Sequence, residues 1–184
     1  MAGRVGEMNP NDFRIIREIY ENDSAPEDFE NELDRALEDC VSFIIIEPTK
    51  LGDETARWIK VGNCLHKTSL LSGVCCLAVG KLWPQVGSIL TCPLGVVSVM
   101  CAGLYMASWQ YDPCCKYQVV TDPRKLQGLP LYDLTSPSYV ALERKDDTAR
   151  KILHTIVALA AGGFCLWKLS KWYSSYSYVD EIDL

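Results

Sequence analysis

Polar and apolar positions are unevenly spread along this chain, and the longest break in the polar pattern lies at its middle. Residues 86–109 (VGSILTCPLGVVSVMCAGLYMASW) carry no charge over 24 positions, which at about 1.5 Å per helical residue exceeds the roughly 30 Å of a bilayer core. The pattern predicts a transmembrane helix. Residues 68–83 (TSLLSGVCCLAVGKLW) are apolar but shorter and carry Lys81 near their end, so a span here must draw on residues 61–67 or let the Lys81 ammonium reach back to the headgroups. Only Pro84 and Gln85 separate the two. A reversal follows, giving a transmembrane helical hairpin over residues 68–111 with both long flanks on one side. The competing reading is a hairpin buried in a soluble core, which would need a larger domain around it than the remaining residues supply.

The flanks alternate between strand and helix signals. FRIIREIY (residues 13–20) reads as a strand, although Phe13, Ile16 and Tyr20 would also share a helix face. Ser24 with Glu27 forms a capping box, after which Phe29, Leu33, Ala36, Leu37 and Cys40 recur at helical spacing beneath an acidic outer face. Phe43–Ile46 is a short β-branched run stopped at Glu47-Pro48, as in a strand buried on both faces. A helix start is then expected with Asp53 as N-cap, Glu54 in the first turn, and Trp58, Val61 and Leu65 as its apolar stripe. Its other side carries Arg57, Lys60 and Lys67, the composition of a helix lying among phosphate headgroups. KYQVV (116–120) and YVALE (139–143) read as two more strands. Asp146-Asp147 open a last helix whose residues 152–169 are apolar and either span the membrane or lie flat on it, and SSYSYVDEIDL reads as a loose tail.

The fold class expected is therefore an α+β membrane protein: a transmembrane helical hairpin, a small α/β module formed by the flanks, and a C-terminal apolar helix. Its divisions are an acidic strand-helix-strand module (1–52), a basic amphipathic interfacial helix (53–67), the hairpin (68–111), a strand-containing return (112–147), the apolar helix (148–172) and the tail (173–184).

Charge sharpens this division. Residues 1–56 hold 15 Asp/Glu against 5 Lys/Arg, and residues 57–171 hold 13 Lys/Arg against 6 Asp/Glu. With a net charge of −6 overall and its cations flanking apolar segments, the chain offers no solvated basic patch for nucleic acid. Nine cysteines, an odd number without a CxxC pair and without a secretory leader, disfavour a disulfide-rich extracellular fold. Cys75, Cys76, Cys92, Cys101 and Cys165 lie inside apolar segments, where a thiol packs as a small hydrophobe.

Candidate sites are few. Gly87, Thr91, Gly95, Gly103 and Ala107 fall on one i, i+4 face of the second span, and close backbone approach through small residues drives helix association in lipid. Ser72, Cys76 and Gly80 on the first span, with Ala158 and Gly162 on the last helix, offer matching faces, so this surface serves either the hairpin's own packing or self-association. Asp53, Glu54, Trp58, Asp112, Cys114 and Cys115 sit at the membrane edge, where a partner could read them. Cys64, His66, Cys114 and Cys115 are the residues a zinc site would use, although adjacent cysteines fit one tetrahedral ion poorly. Cys114 and Cys115 are alternatively juxtamembrane acylation sites or packing residues. A thiol- or zinc-dependent membrane enzyme using Cys64, Cys114 and Cys115 is thus the alternative to a structural role. No phosphate loop, nucleophile elbow or cofactor motif is present, and Lys81 is the only ionisable group in the hairpin spans.

Three ordered blocks, IIIEPTKLGDETARWIKVGNCLHKT (44–68), SWQYDPCCKYQV (108–119) and ERKDD (143–147), resemble the transmembrane protein 11 family, with the likeness running over roughly residues 18–161. The resemblance implies a multi-pass mitochondrial protein, usually of the inner membrane with the outer as the alternative. It further implies a role in mitochondrial morphogenesis and cristae organisation without known enzymatic activity. The residues themselves, lacking catalytic and transport constellations, predict a scaffold in the lipid bilayer that forms a homo-oligomer through the Gly95, Gly103 and Ala107 face and meets other mitochondrial membrane-organising proteins. The first dozen residues and the tail after Lys171 depart from the pattern. On the flank side of the hairpin Arg57, Lys60, Lys67, Lys116, Arg124 and Lys125 outnumber Lys81, which by the positive-inside tendency predicts the flanks in the matrix.

Overall fold

In the computed structural model, residues 12–18, 25–83, 87–127, 129, 131 and 134–182 are described. The capping box at Ser24 and the reversal at Pro84-Gln85 lie outside them. The chain divides into two compact units, Met1–Val61 with Asp112–Asp146, and Gly62–Tyr111 with Asp147–Leu184.

The first unit is a four-stranded sheet with a helix. Its strands are β1 (Phe13–Ile16), β2 (Phe43–Ile46), β3 (Tyr117–Val119) and β4 (Val140–Arg144), in the order β1-β2-β4-β3. β1 and β2 are parallel, Ile15 opposite Ile45, and the other pairs antiparallel, Ile44 opposite Leu142 and Val119 opposite Leu142. Parallel neighbours need a crossover, and α1 (Ala25–Glu38) supplies it. The unbroken Phe-Ile-Ile-Ile run of β2 is explained by burial on both faces. Ile44 and Ile46 meet α1 through Phe29, Leu33, Ala36 and Leu37, whereas Ile45 packs on Ala141, Val120 and Leu129 on the opposite side. Three isoleucines with no exposed surface each stabilise the unit by about 1.5–3 kcal/mol relative to an exposed side chain. α1 ends with Cys40 at φ 55° and Val41 N donating to Ala36 O at 3.4 Å, a left-handed cap that ordinarily takes glycine. The strands lie at the expected places, the first ending at Ile16 instead of residue 20.

Two expected boundaries change. The separate interfacial helix and first span are one helix, α2 (Thr49–Leu82), which starts four residues early, with Gly52 N donating to Pro48 O at 2.9 Å. Asp53 is therefore an exposed residue inside α2 and not its N-cap. No proline interrupts residues 49–82, and the Ser72 hydroxyl bonds back to Thr68 O at 2.7 Å, so nothing breaks the helix at Thr68. The expected loose tail is corrected as far as Ile182: α5 (Thr148–Ile182) continues into it, because no glycine or proline follows Gly163. A short α4 (Pro123–Leu126) lies in the loop between β3 and β4.

The second unit consists of α2 from Gly62, α3 (Gly87–Ser108) and α5. Contacts of Ser69 with Ser98 and of Cys76 with Thr91 make α2 and α3 antiparallel. Gly95 beside Cys165 and Gly162 beside Val99 make α5 antiparallel to α3. Among the described helices, α3 (Ile89–Ser108) and α5 (Thr148–Ser175) are long and apolar enough to cross a membrane.

Candidate functional site

The second unit distributes its residues against the habit of a soluble bundle. The side chains that α2 turns inward are His66, Ser69, Ser72 and Cys76, and α3 turns in Thr91, Ser98, Ala102 and Tyr105. Outside stand Leu71 and Val74 of α2, Ile89, Val96 and Met100 of α3, and Ile156 and Leu159 of α5, the last 72% exposed. The inward serines, Thr91 and Cys76 bond within the bundle, whereas His154 Nε2 has no hydrogen-bond partner among the described residues. The Ser69 hydroxyl donates to Ser98 O at 2.9 Å, and Ser98 returns a bond to Ser69 O at 2.8 Å. Thr91 O accepts from Cys76 Sγ at 3.2 Å and Cys165 Sγ at 3.6 Å. His66 Nδ1 lies 3.1 Å from His154 Nδ1, with the Tyr105 ring edge-on to His154 at 4.9 Å between centroids. Because Arg150 O, 3.1 Å from His154 Nδ1, can only accept, His154 carries its proton on Nδ1 and His66 accepts there. Arg150 also bonds Asn63, and Lys151 Nζ joins Gln110 O at 2.9 Å and Asp147 Oδ2 at 2.6 Å. Sequence reading places His66 in a candidate zinc set with Cys64, Cys114 and Cys115 and does not pair it with His154. Their pairing joins positions 88 apart, and the signal that could have found it was the run His66-Ser69-Ser72-Cys76-Gly80 on one helical stripe.

The predicted small-residue face is split. Thr91 and Gly95 are buried, and a Cβ on Gly95 would fall 2.3 Å from Cys165 Sγ. Gly103 and Ala107 are exposed, with nothing within 4 Å of a Cβ at Gly103. Gly87 heads α3, with its surroundings outside the described residues. The matching positions Ser72, Cys76, Gly80 and Ala158 do turn into the bundle. On α2 the expected apolar stripe is corrected: Trp58 and Val61 are 40% and 47% exposed, and the buried stripe is Thr55, Ile59, Gly62, His66 and Ser69. Arg57, Lys60 and Lys67 are all exposed.

Of the suggested partner surface, Asp53 and Glu54 are exposed, whereas Trp58 and Asp112 are joined to each other. Trp58 Nε1 donates to Asp112 Oδ2. Asp112 Oδ1 accepts from Cys114 N at 2.8 Å and so caps the 3₁₀ turn Pro113–Lys116. Cys115 is buried and Cys114 packs on the core of the first unit. Burial, reinforced by the Asp112 carboxylate, pushes the Cys114 thiol well above its ordinary range, which opposes the thiolate a nucleophile or zinc ligand needs. Cys64 belongs to the second unit, and among the described residues no three His, Cys, Asp or Glu gather as a metal site.

The carboxylate that the first unit does use is Glu47. It is fully buried and accepts from Glu18 N at 3.0 Å, Thr135 N at 2.9 Å and Thr135 Oγ1 at 2.7 Å. Burial raises its pKa, yet the Thr135 and Glu18 bonds outweigh burial and hold it below the usual carboxylate value.

A family model described as a mitochondrial morphogenesis regulator matches residues 12–170. Transmembrane protein 11-A, mitochondrial, of Xenopus laevis is 53% identical over 161 residues, 87% of this chain and 86% of the frog protein. Transmembrane protein 11, mitochondrial, of Homo sapiens is 49% identical over 168 residues, 91% and 88% of the two chains. The zebrafish (Danio rerio) protein of the same name is 49% identical over 170 residues, 92% and 91%. No solved structure matches the chain. Through nearly its whole length, including the three blocks at 44–68, 108–119 and 143–147, this chain belongs to the mitochondrial morphogenesis regulator family.

Proposed function

We propose that this chain is a multi-pass mitochondrial membrane protein that works as a non-catalytic scaffold in morphogenesis, with α2 from Gly62, α3 and α5 crossing the bilayer. The observation that carries the reading is the inverted packing of the helical unit, in which serines, a threonine and two histidines face inward while leucines, isoleucines and valines face out. In water this would expose a large apolar surface, whereas in lipid it turns the apolar side chains to the acyl chains and joins the inward serines and histidines to neighbouring helices. α2 has the less hydrophobic composition because His66, Lys67, Ser69, Ser72 and Lys81 dilute it, and its inward residues are shielded by the two flanking helices. The 22 residues of α3 reach about 33 Å.

The sheet constrains the path. β2 precedes the helical pair and β3 and β4 follow it, so the chain must return to the side it left, as two crossings provide. The site of action we infer is the inner membrane and its cristae, where a homo-oligomer, together with other mitochondrial membrane-organising proteins, would curve or tether lipid collectively. Alkaline carbonate extraction of mitochondria tests the integral reading. The protein should remain in the pellet, and its release would refute membrane spanning. Restoring cristae shape in cells lacking the protein with a variant carrying serine at 64, 114 and 115 tests the scaffold, which needs no thiol chemistry.

A further inference from the structure

One end of the helical unit holds cations without anions. Lys168 Nζ is buried with no hydrogen-bond acceptor among the described residues, and it lies 5.3 Å from the Phe164 ring centroid. Lys171 Nζ lies 4.6 Å from the centroid of Trp167. α2 reaches the same level: a Cβ on Gly80 would fall 2.3 Å from Phe164 Cε1, and Lys81 follows, exposed. Residues 62–111 contain no Asp or Glu, and residues 147–175 contain only Asp147, which is held by Lys151 about 31 Å from Lys168 along α5. The acids of the tail are no closer in kind. α5 stays helical to Ile182, which sets Asp180 about 13 Å beyond Lys171 and about 18 Å beyond Lys168.

An ammonium in apolar surroundings is stable only with an anion. We propose that Lys81, Lys168 and Lys171 bind the phosphate of an anionic phospholipid; this rests on the membrane reading above. Lysines suit the role as compact charges, and a zwitterionic lipid would bring a further cation to three already present. A lipid is favoured over free phosphate by what surrounds the charges. Leu166 and Leu169 are exposed for acyl chains, and Trp83 and Tyr173 are exposed where rings sit at the headgroup level.

The test is a competition on the full-length protein in detergent, stripped of lipid and offered equal phosphatidylglycerol and phosphatidylcholine, with bound lipid read by native mass spectrometry. Each lysine at a headgroup is worth about fivefold, so a preference of at least about tenfold for phosphatidylglycerol is expected. The pair Lys168→Gln and Lys171→Gln should bring the ratio near one, and Lys168→Arg with Lys171→Arg should keep it. Equal retention of the two lipids by the unaltered protein overturns the proposal without reference to any variant. Displacement of phosphatidylglycerol by excess inorganic phosphate would also overturn it, by assigning a free-phosphate site. Failure of the membrane reading itself is seen separately, as release into carbonate.

Discussion

Glu47 shows what a single residue can do that its neighbours in sequence do not announce. Read along the chain, it is the charge that ends a strand before Pro48. In the fold it is a buried acceptor tying the segment after β1 and the loop before β4 to the end of β2, and its principal partner is 88 positions away. No periodicity reports such a bond. Glu47→Gln replaces one acceptor oxygen by an amide donor facing donors, and it should cost about 2–3 kcal/mol, read as a lower thermal midpoint. The folded pKa lies below the usual carboxylate value, so the unfolded chain binds the proton first as pH falls. The contribution is therefore complete above about that value and is lost as pH falls through the folded pKa. Melting midpoints followed downward from neutral pH should drop more steeply for the native chain than for Glu47→Gln, and parallel curves would show that Glu47 is not held ionised. Cys40 offers the opposite sign: at φ 55° its Cβ is crowded, and Cys40→Gly should raise stability by about 0.5–1 kcal/mol. An unchanged or lower midpoint would mean that the cysteine side chain contributes more packing than strain.

Among elements, the strands and α1 are legible because burial on two faces and apolar residues at helical spacing leave local marks, whereas the packing of the long helices is only half legible. An i, i+4 stripe turns about 40° further round the helix at each step, so a face drawn from Gly87 through Ala107 leaves the seam before its end. The seam in α3 alternates steps of four and three, through Thr91, Gly95, Ser98, Ala102, Tyr105 and Trp109. This separates two roles that the sequence reading had joined. Gly95→Leu forces a branched side chain against Cys165 and should destabilise the bundle by about 1–3 kcal/mol, lowering the amount of protein that resists proteolysis. Gly103→Leu meets no neighbour inside the chain and should leave abundance unchanged. If the exposed Gly103 and Ala107 surface holds copies together, the same change should reduce the size of the complex on native gels. An unaltered complex would remove this helix from the assembly, and loss of Gly103→Leu protein would show that its face is packed.

At the scale of the whole chain, charge and topology argue together. The flank that forms the sheet contributes Arg57, Lys60, Lys116, Arg124 and Lys125, and Lys67, Arg150 and Lys151 lie in the first turns of the helical unit. The opposite ends of the same helices carry Lys81, Lys168 and Lys171. By the positive-inside tendency the richer side is predicted in the matrix. If α5 crosses as we propose, residues 152–169, which the sequence reads as either spanning or flat, make a third crossing and the acidic tail is expected on the side opposite the hairpin's flanks. The net −10 of residues 1–56, from 15 acids and 5 bases, pulls the other way, because the inner-membrane potential favours moving negative charge out of the matrix by about 2.3 kcal/mol per charge at 100 mV. The two forces give opposite orientations and one experiment separates them. With tags at residue 2 and after Leu184, protease added to mitoplasts should remove the C-terminal tag and spare the N-terminal one. The reverse pattern would show that the acidic segment is exported and the potential outweighs the flanking cations. Loss of both tags would place both ends on one side, which an even number of crossings requires, and would take α5 out of the bilayer.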